Sequence, residues 1–196
     1  MRYLLLLVAL ITSTAFATPD FDETMVAAKQ GAAAAQFNLG NMYDEGRGVP
    51  ENDGEAVKWF RKAADQGLVN AQFNLGFMYD NGEGVPENDA EAVKWYRKAA
   101  DQGYAKAQFN LGNMYDEGRG VPQNDGEAVK CFRKAADQGY AKDQYNLALV
   151  YYSGEGVPEN NIRAYVWLSM AKTQGTAVAA GNIDILKPQM TKQQIA

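Results

Sequence analysis

AQFNLG at residues 35–40 recurs at 71–76 and 107–112, and returns in altered form as DQYNLA at 143–148, so the chain repeats itself every 36 residues. The units run 35–70, 71–106, 107–142 and 143–178. A fixed period of this length marks tandem supersecondary units, each too small to bury its own apolar face and therefore stacked to share a core. Units one and three differ at only five positions: Glu51/Gln123, Trp59/Cys131, Leu68/Tyr140, Val69/Ala141 and Asn70/Lys142. Duplication this recent suits a modular surface better than a unique catalytic pocket.

Within a unit, Ala35, Leu39, Met42 and Tyr43 are spaced as one face of a helix, helix A, from about Ala33 to Glu45. Gly40, repeated as Gly76 and Gly112, stands inside that helix at a cost of roughly 1 kcal/mol relative to Ala, which predicts close approach of a neighbouring helix. Ala148 fills the position in unit four. Gly46 suits a left-handed helix terminus and Pro50 bars continuation; the GxGVP connector returns at 82–86, 118–122 and 154–158. Asn52 or Asp53 caps a second helix, helix B, which runs to about Gln66. Its buried face is Ala56, Val57, Trp59, Phe60, Ala63 and Ala64, with Lys58, Arg61, Lys62 and Asp65 opposite. The expected fold is all-α: an α-solenoid, a curved stack of antiparallel helix pairs.

The ends depart from the period. Residues 18–34 form an N-terminal half-repeat cap, because Asp22 to Gly31 aligns with a helix B that lacks its helix A. Residues 179–196 form a C-terminal cap, with a helix over Ala179 to Lys187, a break at Pro188 and a capping box at Thr191 to Gln194 opening another. Residues 1–17 read as a signal peptide: Arg2 precedes the apolar run Leu4 to Ile11, and Ala15-Phe16-Ala17 supplies the cleavage pattern. That predicts export to the periplasm or beyond, with no membrane insertion after cleavage.

Removing Arg2 leaves 18 basic against 24 acidic side chains, a net charge of -6, which opposes a nucleic-acid partner. Histidine is absent, which removes the usual neutral-pH base, the Ser-His-Asp triad and every histidine-containing zinc site. One cysteine, Cys131, excludes an intramolecular disulfide framework. It replaces the tryptophan of positions 59, 95 and 167, and reads either as a buried small hydrophobe or as a reactive, dimer-forming thiol. The acidic loop from Asp44 to Glu55 fails as a calcium loop, since Gly46 stands where a ligand is required. No pattern calls for a cofactor or a metal.

The 36-residue period with Leu39-Gly40, Met42-Tyr43, Gly46-x-Gly48-Val49, Ala56, Trp59-Phe60, Lys62-Ala63-Ala64 and Gly67 resembles the Sel1-like repeat family, relatives of the tetratricopeptide repeats. The resemblance implies a right-handed superhelix of helix pairs used as a protein–protein adaptor, often in the bacterial envelope. A cysteine-rich branch of that family is associated with β-lactam binding or hydrolysis. This chain lacks the cysteine pairs of that branch, and Ser169-Met-Ala-Lys172, an S-x-x-K pattern, falls in an ordinary helix B without its S-D-N and K-T-G companions.

In tetratricopeptide-like stacks helix A lines the concave surface, and there the candidate partner-binding residues fall in rows. An aromatic row is Phe37, Phe73, Phe109 and Tyr145; beside it run Asn41, Phe77, Asn113 and Leu149; below them lie Asp44, Asp80 and Asp116. By the same resemblance Asn41 and Asn113 stand where an asparagine grips a bound peptide backbone. Either these rows form a groove for a protein or peptide segment, with the carboxylates favouring basic groups, or the aromatics are interhelical packing and the acids solvate helix ends. The reading is a non-catalytic scaffold; the alternatives are a penicillin-binding or β-lactamase-like protein and a structural homo-oligomer stacked end to end.

Overall fold

A computed structural model describes residues 20–155 and 157–195; the signal peptide expected at 1–17 lies outside the described residues. Helices follow one another along the chain as α1 (Phe21–Lys29), α2 (Ala33–Asp44), α3 (Asp53–Asp65), α4 (Val69–Asn81), α5 (Asp89–Asp101), α6 (Ala105–Glu117), α7 (Asp125–Ala136), α8 (Ala141–Ser153), α9 (Asn161–Thr173), α10 (Ala177–Leu186) and α11 (Lys192–Ile195). Helices α2, α4, α6 and α8 are the A helices; α3, α5, α7 and α9 are the B helices. Each packs on the next in sequence, so the chain is an α-solenoid of helix pairs.

Local chemistry sets each hairpin. The helix A terminus is left-handed glycine, with φ of 65° at Gly46, 73° at Gly82, 69° at Gly118 and 76° at Gly154. The connector closes when the N–H of the helix B cap donates 2.8 Å back to a helix A carbonyl, Asn52 to Tyr43 and Asn88 to Tyr79. The cap is the asparagine of the Asn52/Asp53 pair, whose Oδ1 accepts from the Glu55 N–H at 3.0 Å. Helix B ends on a Schellman turn, in which Leu68 N–H reaches Ala63 O at 3.2 Å and Gly67 N–H reaches Ala64 O at 3.0 Å.

The glycine inside helix A admits an aromatic ring from its own helix B. A Cβ on Gly40 would stand 2.6 Å from the Phe60 ring, on Gly76 2.7 Å from Tyr96, and on Gly112 2.6 Å from Phe132. Unit four carries Ala148 at that position, and the residue opposite is the smaller Leu168, fully buried. Between units, Trp59 packs with Ala28 and Leu39, and Trp95 joins the unit-one core of Ala56, Phe60 and Ala63. Each tryptophan therefore binds its own helix B to the stack before it.

At the front, α1 closes on unit one through the Phe21 and Tyr43 rings, edge to face at 5.7 Å. At the back the expected helix starts two residues earlier, at Ala177. Pro188 does not stand in open chain but inside a 3-10 turn over Lys187–Gln189. The Thr191 N–H donates to Gln194 Oε1 at 2.7 Å, one arm of the expected capping box. Cys131 is half-buried against the unit-two core rather than fully buried, and burial pushes its thiol pKa up.

Candidate functional site

The aromatic row is half-buried, its three phenylalanines each leaning on their own helix B. Phe37 meets Phe60 at 5.7 Å, Phe73 meets Tyr96 at 5.8 Å and Tyr104 at 5.1 Å, and Phe109 meets Phe132 at 5.5 Å. Tyr145 departs from this pattern, its hydroxyl accepting a 3.0 Å hydrogen bond from Asn182 of α10. These rings pack and still present an edge. Lys142 lies 5.6 Å from the Phe109 ring, within cation–π range.

In the second row Phe77 is 42% exposed, an unusual state for a phenylalanine, at a position that carries asparagine in units one and three. Asn41 Oδ1 sits 3.5 Å from Asn74 Nδ2, so the side chains of successive A helices adjoin. Asn113 is half-buried on the same face. Phe77 opens onto a cavity of about 250 Å³ whose walls include Phe73, Asn74, Asp44 and Glu83.

The aspartate row is not uniform. Asp80 accepts from Arg119 at 2.5 Å and from the Tyr96 hydroxyl at 3.1 Å, so it is engaged within the fold. Burial and the Asp80 charge push the Tyr96 phenol upward. Among the described residues no lysine or arginine forms an ion pair with Asp44. Burial, then the charges of Asp53, Glu45 and Glu51, raise its pKa above the ordinary carboxylate value. Asp116 is raised likewise, by burial and then by Glu155, Asp125 and Glu117.

Two features escape a reading that sorts residues by apolarity alone. Gln36, Gln72, Gln108 and Gln144 are buried in the stack, each donating to a helix B carbonyl eight residues earlier at 3.1–3.4 Å, as Gln36 does to Ala28. Their retention in all four copies, including the divergent fourth, is the signal in the sequence. The other feature is an arginine clasp from helix B to the next helix A: Arg61 donates to Tyr79, Arg97 to Tyr115 at 2.7 Å, and Arg133 to Tyr151. Arg61 is thus half-buried rather than part of a solvated face.

On helix B of unit four, Ile162, Val166 and Met170 are exposed at i, i+4 and i+8, where unit one has Gly54, Lys58 and Lys62. Ser169, one turn away, donates its hydroxyl to the Tyr165 carbonyl at 2.8 Å, an ordinary back-bond within the helix.

The Sel1 repeat model matches residues 33–68, 69–104, 105–140 and 141–176, a frame two residues ahead of the units above. No curated protein matches the chain. Among solved structures, a protective antigen present in uropathogenic Escherichia coli strains, displaying an SLR fold, is 42% identical, with a TM-score of 0.80 over 82% of this chain and 34% of its own. A Sel1 repeat protein from Oxalobacter formigenes is 37% identical, with a TM-score of 0.75 over 83% of this chain and 65% of its own. The chain therefore spans about a third of the first and just under two thirds of the second. Cysteine-rich protein B of Helicobacter pylori, 22% identical with a TM-score of 0.52 over 65% of this chain and 94% of its own, shares the fold. With four matched units covering most of its length, this chain belongs to the Sel1 repeat family.

Proposed function

We propose that the chain is a non-catalytic adaptor of the bacterial envelope or exterior, holding an extended protein or peptide segment on the concave helix A surface. Sel1 repeat proteins generally mediate protein–protein interaction. The observation that carries the reading is Phe77, 42% exposed on helix A at the mouth of a cavity walled by Phe73, Asn74 and two carboxylates. A half-exposed aromatic beside oriented amides supplies an anchor and backbone partners for an extended segment. Export rests on Arg2, the apolar run Leu4 to Ile11 and Ala15-Phe16-Ala17.

The test is capture of binding proteins from producing cells with the wild type, with Phe77→Asn, which places the unit-one residue there, and with Lys94→Asn on the opposite side. Loss of a specific partner with Phe77→Asn alone supports the reading; equal recovery by all three contradicts it. Turnover of a chromogenic β-lactam that disappears in Ser169→Ala would contradict the non-catalytic part.

A second reading, self-association, is favoured by the exposed stripe Ile162, Val166 and Met170 together with Val178 and Ile185. Sedimentation at rising concentration checks it. A concentration-dependent increase in mass that is lost in Val166→Lys/Met170→Lys supports it, and a constant monomer mass contradicts it.

A further inference from the structure

The connectors of units two and three lie across the start of the preceding helix B. A Cβ on Gly84 would run into the Asp53 carbonyl group, and one on Gly120 into that of Asp89. Three register positions therefore meet at these two junctions: the aspartate near the end of helix A, the first residue of helix B, and the residue before the second glycine of the next connector. Between units two and three these are Asp80, Asp89 and Arg119, and the guanidinium bridges the two carboxylates at 2.5 and 2.6 Å. Burial opposes the charge of Arg119, yet the hydrogen bonds to Asp80 and Asp89 hold it more firmly protonated.

Between units one and two the same positions carry Asp44, Asp53 and Glu83. The carboxylate pair that grips a cation one unit further on is retained, while the cation is replaced by a third acid. Burial, and then the Asp44 and Asp53 charges, raise the Glu83 pKa, so the like charges repel in a partly desolvated corner. Asp116, Asp125 and Glu155 repeat the trio between units three and four. At the first junction, in addition, Asp44 and Glu83 wall the cavity of about 250 Å³ that holds the exposed ring of Phe77.

The acids do not converge as a chelating set, since among the described residues no group of three or more His, Cys, Asp or Glu side chains is placed to hold a metal ion. A planar cation with several directed donors and an apolar stem suits the geometry: it can bridge two separated carboxylates and lay its stem on an aromatic ring. We infer that the junction of units one and two is a receptor for an arginine side chain of a bound protein segment. Its guanidinium sits between Asp44 and Asp53, as Arg119 sits between Asp80 and Asp89, with its stem on Phe77. This deepens the proposed use of the helix A face and rests on it.

The test is titration of isotope-labelled protein with N-acetyl-arginine amide, followed by backbone amide shifts, with N-acetyl-citrulline amide as the neutral isostere and N-acetyl-lysine amide as the alternative cation. Expected are saturable shifts around Asp44, Phe77 and Glu83 with the arginine probe, none with citrulline, and binding weakened roughly tenfold or more in Asp44→Asn. Glu83→Arg supplies the cation from within the chain, so it should raise the melting temperature and abolish the shifts. Absence of saturable shifts, persistence of them in Glu83→Arg, or equal binding of citrulline or lysine would overturn the arginine receptor. If the arginine probe fails while Phe77→Asn still loses a captured partner, the receptor falls and the groove stands. If the probe binds while capture is insensitive to Phe77→Asn, the groove falls instead.

Discussion

Gln66 Nε2 donates to Gln36 Oε1 at 2.7 Å and to the Gly31 carbonyl at 3.1 Å. Because Gln36 in turn donates to Ala28 O, one pair of amides joins a helix A to the helix B before it and the helix B after it. The arrangement repeats as Gln102 on Gln72, Gln138 on Gln108 and Gln174 on Gln144 at 2.7–2.9 Å. A buried amide that satisfies its donor and acceptor in both directions fixes the rotation of one unit against the next, which apolar contact alone leaves loose.

Gln72→Ala should lower stability by about 1–3 kcal/mol, since it removes two hydrogen bonds of about 0.5–1.5 kcal/mol each, the one Gln72 donates to the Ala64 carbonyl and the one it accepts from Gln102. Urea denaturation gives the value. A loss no larger than that of an exposed substitution such as Lys94→Ala would show that the amides are incidental.

Gly112→Ala should destabilise although alanine is the better helix former, because the added methyl meets the Phe132 ring at 2.6 Å. Unit four shows the compensated pair, Ala148 with Leu168. Gly112→Ala/Phe132→Leu should therefore recover part of the loss, with a coupling of about 1 kcal/mol or more in a double-mutant cycle. Simple additivity would contradict the packing account.

Asp143 stands where the other units have Ala35, Ala71 and Ala107, it is 6% exposed, and burial raises its pKa to about 6, against the pull of Lys142. A carboxyl raised in the folded state binds its proton more tightly there than in the unfolded chain. Its ionisation therefore costs no stability below the ordinary value of 3.8, costs progressively more as pH rises from there to about 6, and costs a constant amount above that. Asp143→Ala should raise stability by about 1–3 kcal/mol at pH 7.5 and by much less at pH 4. Melting curves of both proteins at the two pH values check the sign, and a gain that is larger at pH 4 would contradict it.

Cys131 should react slowly with a thiol reagent in the native protein at neutral pH and rapidly once unfolded, because its thiol is half-buried and its pKa is raised. Equal rates in the two states would place the thiol on the open surface.

The solenoid was legible because its marks are periodic and local. Gly46 and Pro50 end one helix, Asn52 starts the next, and Ala56, Phe60 and Ala63 give helix B its buried face. The amide pairs were not legible, because Gln36 and Gln66 look like solvated polar residues until the stack brings them together across 30 positions. The site was legible in part. Register places Phe77, Asp44 and Phe73 on helix A, and they line one cavity, whose use in binding is the proposal. The engagement of Asp80 depends on Arg119, 39 residues away, and on the Tyr96 hydroxyl, neither of which is visible from helix A alone.

The central claim is that this chain works through its helix A face. A photo-crosslinking residue placed at position 77, and separately at position 94 on helix B, tests it most directly in cells that produce the protein. The account predicts a discrete crosslinked partner from position 77 and none from position 94. The same partner from both positions, or from position 94 alone, would contradict it.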